Sequence, residues 1–476
     1  ESFTLDMSLL PDFSQVRSDN IVKNLGAFEV EFEEQRPFFQ EGVDLFNRGD
    51  LFYSRRIGGT PIQNNQNLWN LDSAERVVNN PTNTRLINVA KISGRNKKGL
   101  GIGVMNAITA SSNALVLDDL TGNTREIETN PLVNYNIISL DQNLKNNSSI
   151  YFINLNTSRA GESTDANVSA LGVDLISKNS TYAIAGDLKV SKRDTNLLNN
   201  FLEGGDNDGL SYFVNVAKIK GNFKYSLSSE SKSPGFNPND LGINFTTNIR
   251  THSMEFEYNK YNPFWILNRN FNRFSFDLDQ DYSSGKILKK QYSGRYIFDL
   301  KSFNTIFINM SALVGDGIDL FESRVVGQEF ITPEYYYNGI GLSSDYRKSF
   351  ALDANIGYGK GYFTDYIVNQ YIEFNISPII RFNDKFSLTP SSNYSVLYNG
   401  AGFAGYYEGA PKYGVRDVRT LVNIIKGKYV FKNNLSLTLR VRHYWSYGVY
   451  DYYGDLDANG YIIRDDSFQG NSDFNF

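Results

Sequence analysis

Apolar and polar side chains alternate at every second position along segments of 10–15 residues, which restricts this chain to long, two-faced β-strands. Near the start, Phe3, Leu5, Met7 and Leu9 alternate with Ser2, Thr4, Asp6 and Ser8. Phe274, Phe276 and Leu278 stand against Arg273, Ser275, Asp277 and Asp279. Ile372, Phe374, Ile376 and Ile380 oppose Glu373, Asn375, Ser377 and Arg381, and Leu435, Leu437, Leu439 and Val441 oppose Ser436, Thr438, Arg440 and Arg442. A soluble sandwich alternates too, but its strands average about 5–6 residues. Here the polar face carries Arg, Glu and Asp along the full length of each segment, while the other face stays aliphatic and aromatic. Strands with lipid outside and water inside require that division. The expectation is an all-β fold: a transmembrane antiparallel β-barrel of about 16–20 strands.

About twenty strand segments can be counted, among them 27–34, 125–140 and 242–259. They run from the first residue to the last without a break in composition. The 476 residues are therefore read as one barrel domain, 1–476, because strand number can grow without a solid core. The 31 Tyr and 34 Phe agree with an all-β protein. Without cysteine there are no disulfides, thiolate nucleophiles or thiolate metal sites. A net charge of −5 with scattered Lys and Arg offers no basic face for nucleic acid. No apolar run reaches the roughly 18–20 residues of a transmembrane helix. The mean hydropathy of −0.39 does not count against a barrel, since only alternate residues meet lipid. There is no signal peptide and residues 1–3 already read as strand, so a mature fragment is expected.

Residues 11–60 do not alternate cleanly. They gather Glu29, Glu31, Glu33, Glu34, Glu41 and Asp44 with Arg36, Arg48, Arg55 and Arg56, amid Phe38, Phe39, Phe46, Phe52 and Tyr53. Charge at that density cannot face lipid, where an arginine at midplane costs about 2–4 kcal/mol. The segment is expected to fold into the lumen and narrow it through carboxylate–guanidinium pairs, with Arg440 and Arg442 on the lumen wall. An ordinary connection outside the bilayer is the alternative. Phe264 with Trp265, the run Tyr335, Tyr336 and Tyr337, and Tyr444, Trp445 and Tyr447 are candidates for aromatic girdles at the headgroup level, against cross-strand packing in a soluble sheet. Residues 194–209 and 450–470 suit exposed loops.

Enzymatic chemistry finds little support. His252 and His443, the available histidine bases, share phase with the apolar series, and no GxSxG, HExxH or phosphate-binding glycine loop occurs. Asp455, Asp457, Asn459 and Gly460, with Asp466 in the twelfth position, fit calcium-loop spacing. A polar hairpin tip explains them equally. No other cofactor is implied.

The segments PDFSQV, EEQRPFFQEGVDLF and LFYSRRIG, continued by residues 87–110, 130–159, 165–175, 237–244 and 418–447, carry a resemblance across nearly the whole chain. They resemble a Bacteroidetes-type family of outer-membrane proteins of unknown function. Its members pair an N-terminal carbohydrate-binding-like β-sandwich with a large barrel. That sandwich is absent from these residues, so its sugar-binding implication transfers to none of them. The family pattern also continues past the DFNF stretch at 473–476, so strands are expected beyond both ends and closure is not assumed. The resemblance implies no activity. Together these readings make the expected function a porin-like channel or transporter in the outer membrane for small polar solutes or glycans. A non-conducting structural or assembly subunit of an envelope complex is the alternative. The implied partners are the lipid bilayer, lipopolysaccharide and other outer-membrane or periplasmic proteins.

Overall fold

The computed structural model describes residues 2–11, 19–65, 69–161, 163–193, 208–364, 367–468 and 470. Most of PDFSQV and residues 194–207 of one expected loop lie outside them. Among the described residues, twenty strands form a single sheet. In chain order these begin with β1 (Ser2–Leu9), β3 (Leu86–Arg95), β4 (Leu100–Thr109), β7 (Val133–Asn143), β8 (Ser149–Arg159) and β9 (Ala166–Ile176). Next come β10 (Tyr182–Arg193), β11 (Asp208–Lys218), β12 (Phe223–Lys232), β13 (Ile249–Lys260), β14 (Leu267–Asp281), β15 (Ile287–Leu300) and β16 (Thr305–Leu313). The series ends with β19 (Glu334–Ser343), β20 (Phe350–Thr364), β21 (Ile367–Arg381), β22 (Phe386–Tyr407), β23 (Ala410–Lys432), β24 (Leu435–Leu456) and the short β25 (Ile462–Arg464). Each pairs antiparallel with the next. No register joins β1 to β24 among the described residues.

β2 (Glu75–Asn79), β5 (Ser112–Asp118) and β6 (Thr124–Asn130) build a separate three-stranded sheet, and β17 (Gly317–Asp319) pairs with β18 (Phe330–Thr332) in a small hairpin. The expected strand 125–140 is thus two strands, split at Asn130–Pro131. Proline has no N–H for a ladder, so pairing stops there. The expected strand 27–34 belongs to no sheet, and that at 242–259 begins only at Ile249.

Cross-strand registers show how alternation becomes two faces. One row runs Asn272, Tyr296, Ile308, Ile340, Ile356, Phe374, Tyr394, Leu421 and Trp445 from β14 to β24. The row beside it, one residue along each strand, runs Glu257, Arg273, Arg295, Asn309, Gly339, Gly357, Glu373, Ser395, Thr420 and Ser446 on the opposite face. A one-residue slip would exchange them, so the pattern fixes the register. Residues 19–65 lie on the second face, called here the covered face. The other is bare.

The two ends of the sheet differ. At one end the longest connections, 261–266 and 344–349, have six residues each. The other end carries connections 110–132, 233–248 and 314–333, and there the hairpin strands β22–β24, of 22–23 residues, stand well above their neighbours.

Candidate functional site

Three single turns of 3-10 helix, Pro37–Phe39, Arg48–Asp50 and Ser54–Arg56, shape the segment on the covered face. The apolar anchor is Phe39, Phe46, Leu51 and Ile57, each no more than 3% exposed. They pack with Val89, Met105, Val133, Ile137, Ile153 and Val168 from β3, β4 and β7–β9. Gly101 and Gly103 make room, because a Cβ there would lie 2.8 Å from Leu45 and 3.1 Å from the Phe46 ring. At about 1.5–3 kcal/mol per buried side chain, four anchors contribute roughly 6–12 kcal/mol.

Polar contacts set the orientation. Arg36, buried, pairs with Glu34 at 2.6 Å and donates to the carbonyls of Ile57 and Ser54, both at 2.7 Å. The Ser54 hydroxyl donates to the same carboxylate at 2.6 Å. Arg48 pairs with Asp141, which is fully buried and also holds Arg95, and with Asp174 at 3.2 Å. Lys91, 1% exposed, donates its ammonium to the carbonyls of Phe38 and Glu41. Ser139 donates to the Leu45 carbonyl at 2.6 Å. Arg55 pairs with Asp19 at 2.6 Å and donates to the Glu33 carbonyl, while Arg56 pairs with Glu29 and donates to the Gly242 carbonyl. On β24, Arg442 donates to the Ile21 carbonyl at 3.0 Å and the Lys23 N–H donates to the Tyr444 hydroxyl. One segment therefore touches β3–β9 and β24 on the same face, so the sheet bends around it.

The expected carboxylate–guanidinium clustering is present for Glu34, Arg36, Arg48, Arg55 and Arg56. Glu33 and Glu41 take part through their carbonyls instead, and Asp44 is exposed, with no ion pair among the described residues. Arg440 and Arg442 share the covered face by register with Lys426 and Ile424. The aromatic candidates divide. Tyr336, Trp445 and Tyr447 stand on the bare face, the last two stacked at 6.0 Å, and Trp265 is 80% exposed in a short turn beside Phe264. Tyr335, Tyr337 and Tyr444 are corrected to the covered face, because consecutive residues of a strand cannot share a side. The calcium candidates are committed elsewhere. Asp455 holds Lys412 at 2.9 Å, Asp466 accepts from Arg464 at 2.6 Å, and Asp457 caps the N–H groups of Asn459 and Tyr461. Among the described residues no group of three or more His, Asp or Glu is placed to hold a metal.

A cavity of about 630 Å³ lies farther along the covered face and was not anticipated. Tyr335, Tyr337 and Tyr371 line it together with Gly359 and Gly361, and the β17–β18 hairpin forms its roof. The signal was present as glycine at alternate positions, 339 and 341 on β19, then 357, 359 and 361 on β20.

A family model described as a domain of unknown function, DUF5916, matches residues 1–476. The chain belongs to that family. No curated protein matches the chain. Membership of that family assigns no activity.

One consequence concerns pH. Burial opposes the charged form of Glu34, but the Arg36 side chain, the Ser54 hydroxyl and the Arg36 N–H outweigh it and hold the carboxyl below its ordinary 4.5. A depressed carboxylate stabilises above its unfolded value and ceases to do so as pH falls through the folded one. Amide protection factors in residues 34–57, corrected for the intrinsic pH dependence of exchange, are therefore expected to fall as pH drops below about 4.5, and Glu34→Gln should abolish that step. An unaltered step in the variant would assign the effect to another group.

Proposed function

We propose that the sheet is rolled into an outer-membrane β-barrel that passes small polar solutes or short glycans, with residues 19–65 narrowing its lumen. The observation that carries this is the bare face. Leu171, Ile184, Leu188, Val214, Val216, Leu227, Met254, Phe256, Phe274, Met310, Ile340, Ile356 and Phe374 are each 38–54% exposed on one side of neighbouring strands. Monomeric soluble proteins rarely expose contiguous apolar patches beyond a few hundred Å². A bilayer covers such a belt without any further protein.

Two further features support the reading. The strands of the large sheet from β7 to β16 and from β19 to β21, 9–15 residues long, match the roughly 9–11 tilted residues that cross hydrocarbon. Short turns at one end and long connections at the other follow the periplasmic and extracellular ends of such barrels. The long end, with the tall β22–β24 hairpins, would then face outward beside lipopolysaccharide. No catalytic role is proposed: His252 lies by register with Leu278 and His443 beside Asn423, away from the charged face.

The firm seating of the segment favours a second reading, a closed barrel that anchors an envelope complex. Planar-bilayer recording separates the two. The channel reading expects discrete ion-conducting steps from the native protein. It also expects larger steps from the Arg55→Ala/Arg56→Ala double variant, which frees two half-exposed pairs. A silent native protein that copurifies stoichiometrically with an envelope protein would favour the anchor.

A further inference from the structure

We infer that the tyrosine-floored cavity is a binding site for a neutral saccharide. The inference deepens the channel reading and rests on it only for the direction from which the sugar arrives. The floor is built by an exchange of side-chain volume between strands. Gly357 and Gly359 on β20 leave the backbone bare, and the rings of Tyr337 and Tyr371 occupy the space on either side. Glu373 accepts both tyrosine hydroxyls, that of Tyr371 at 3.0 Å, and thereby fixes both rings. Their centroids are 6.4 Å apart with the planes tilted by 43°. That is an open, dished floor rather than the parallel slot a planar base would need. A pyranose offers one C–H face to such rings and a perimeter of hydroxyls to its surroundings.

The perimeter suits hydroxyls. Lys289 and Asn369 supply donors, and Ser311 supplies a hydroxyl of either sense. Asp319 spends Oδ1 on the N–H groups of Phe321 and Glu322. Its Oδ2 has no hydrogen bond among the described residues, leaving an acceptor at the roof. Across the strand pair from Lys289 stands Asp279, which accepts from Thr251 at 2.7 Å. The other lysine of the lining, Lys360, carries its ammonium over the Tyr362 ring on the bare face, so Lys289 with Asp319 and Asp279 leaves no surplus positive charge for an acidic sugar. The volume of about 630 Å³ lies within the roughly 300–1,000 Å³ usual for ligand sites.

The roof is held independently of the floor. Phe330 of β18 packs on the buried ring of Tyr413 at 6.1 Å, and the Tyr413 hydroxyl donates to the Ser323 carbonyl. Glu322 accepts the Phe403 N–H at 2.7 Å, while Arg324 lies 4.7 Å from the Phe403 ring. The tall β22–β24 wall thus braces the connection 314–333 over the cavity, at the end where the barrel reading places the outside.

The test is calorimetric titration of the full chain in detergent micelles with maltotriose, cellotriose, tri-N-acetylchitotriose and trigalacturonate. At least one neutral trisaccharide is expected to bind, and trigalacturonate no more tightly. Gly359→Leu fills the floor from a position where an added Cβ meets only ordinary contacts of 3.5–3.6 Å, so the strand should hold. It is expected to weaken binding by at least about tenfold, as is Tyr371→Ala, which covers the case in which the first variant does not assemble. No binding of any neutral probe at millimolar concentration, binding of trigalacturonate alone, or unchanged affinity in the assembled variants would overturn the site. Sugar binding by a protein that shows no conductance would retain the site and remove the channel; conductance without sugar binding would do the reverse.

Discussion

Arginine at Ile340 or Ile356 is expected to cost about 2–4 kcal/mol of folding stability in lipid vesicles, the price of a cation at the bilayer midplane. The two residues face each other across β19 and β20 in the middle of the apolar row, 52% and 53% exposed. Were the protein to fold in water, those exposures would make either substitution worth no more than about 0.5 kcal/mol. The size of the effect therefore decides the solvent of the bare face. Asn355→Arg is the control, one residue away on the covered face, where a polar lumen would absorb the charge. Urea titration of refolded protein in vesicles reads all three. Near-native stability for Ile340→Arg and Ile356→Arg would mean that the bare face meets water or protein, and the barrel would fall with it.

The faces were legible in the sequence because alternation is a property of each strand alone. Phe274 and Phe276, Ile372 and Phe374, and Leu435 to Leu439 all have the phase their spacing demands. Partner choice is not local. Phe28, Val30 and Phe32 alternate with Glu29, Glu31 and Glu33 as well as any strand does, yet Phe28 packs at 5.4 Å from Phe245 and 5.2 Å from Phe321, outside every sheet. The charge clustering of 11–60 showed that this segment could not face lipid, but Arg48 meets its partners 93 and 126 residues away, at Asp141 and Asp174. No spacing rule reaches that far. The tyrosine triplet is a different case: its division between faces follows from the same period of two that organised everything else. The alternating glycines at 357, 359 and 361 were equally visible. Their meaning depended on tyrosines from strands on both sides.

The segment's hold on the sheet sets the second large effect. Arg36→Ala leaves Glu34 charged with side-chain exposure of only 13%, strips the Ile57 carbonyl of the Arg36 donor, and leaves the Ser54 carbonyl with the Ile57 N–H alone. Breaking a buried pair from one side costs about 3–5 kcal/mol. Against an anchor of roughly 6–12 kcal/mol from four apolar side chains, that loss loosens residues 34–57 without ejecting them. Phe46→Ala removes a fully buried ring at a similar cost of about 3–5 kcal/mol. The Phe46 side chain has no hydrogen-bonding group and so takes no part in the Arg36 network, and the losses should nearly add. Each single variant is expected to give occasional large openings in planar bilayers. The Arg36→Ala/Phe46→Ala pair, with about 6–10 kcal/mol removed, should stay open at several times the native conductance. A double variant that assembles and loses amide protection in residues 34–57, yet conducts like the native protein, would show that residues 19–65 do not limit the pore, since the seating would have been destroyed with nothing released.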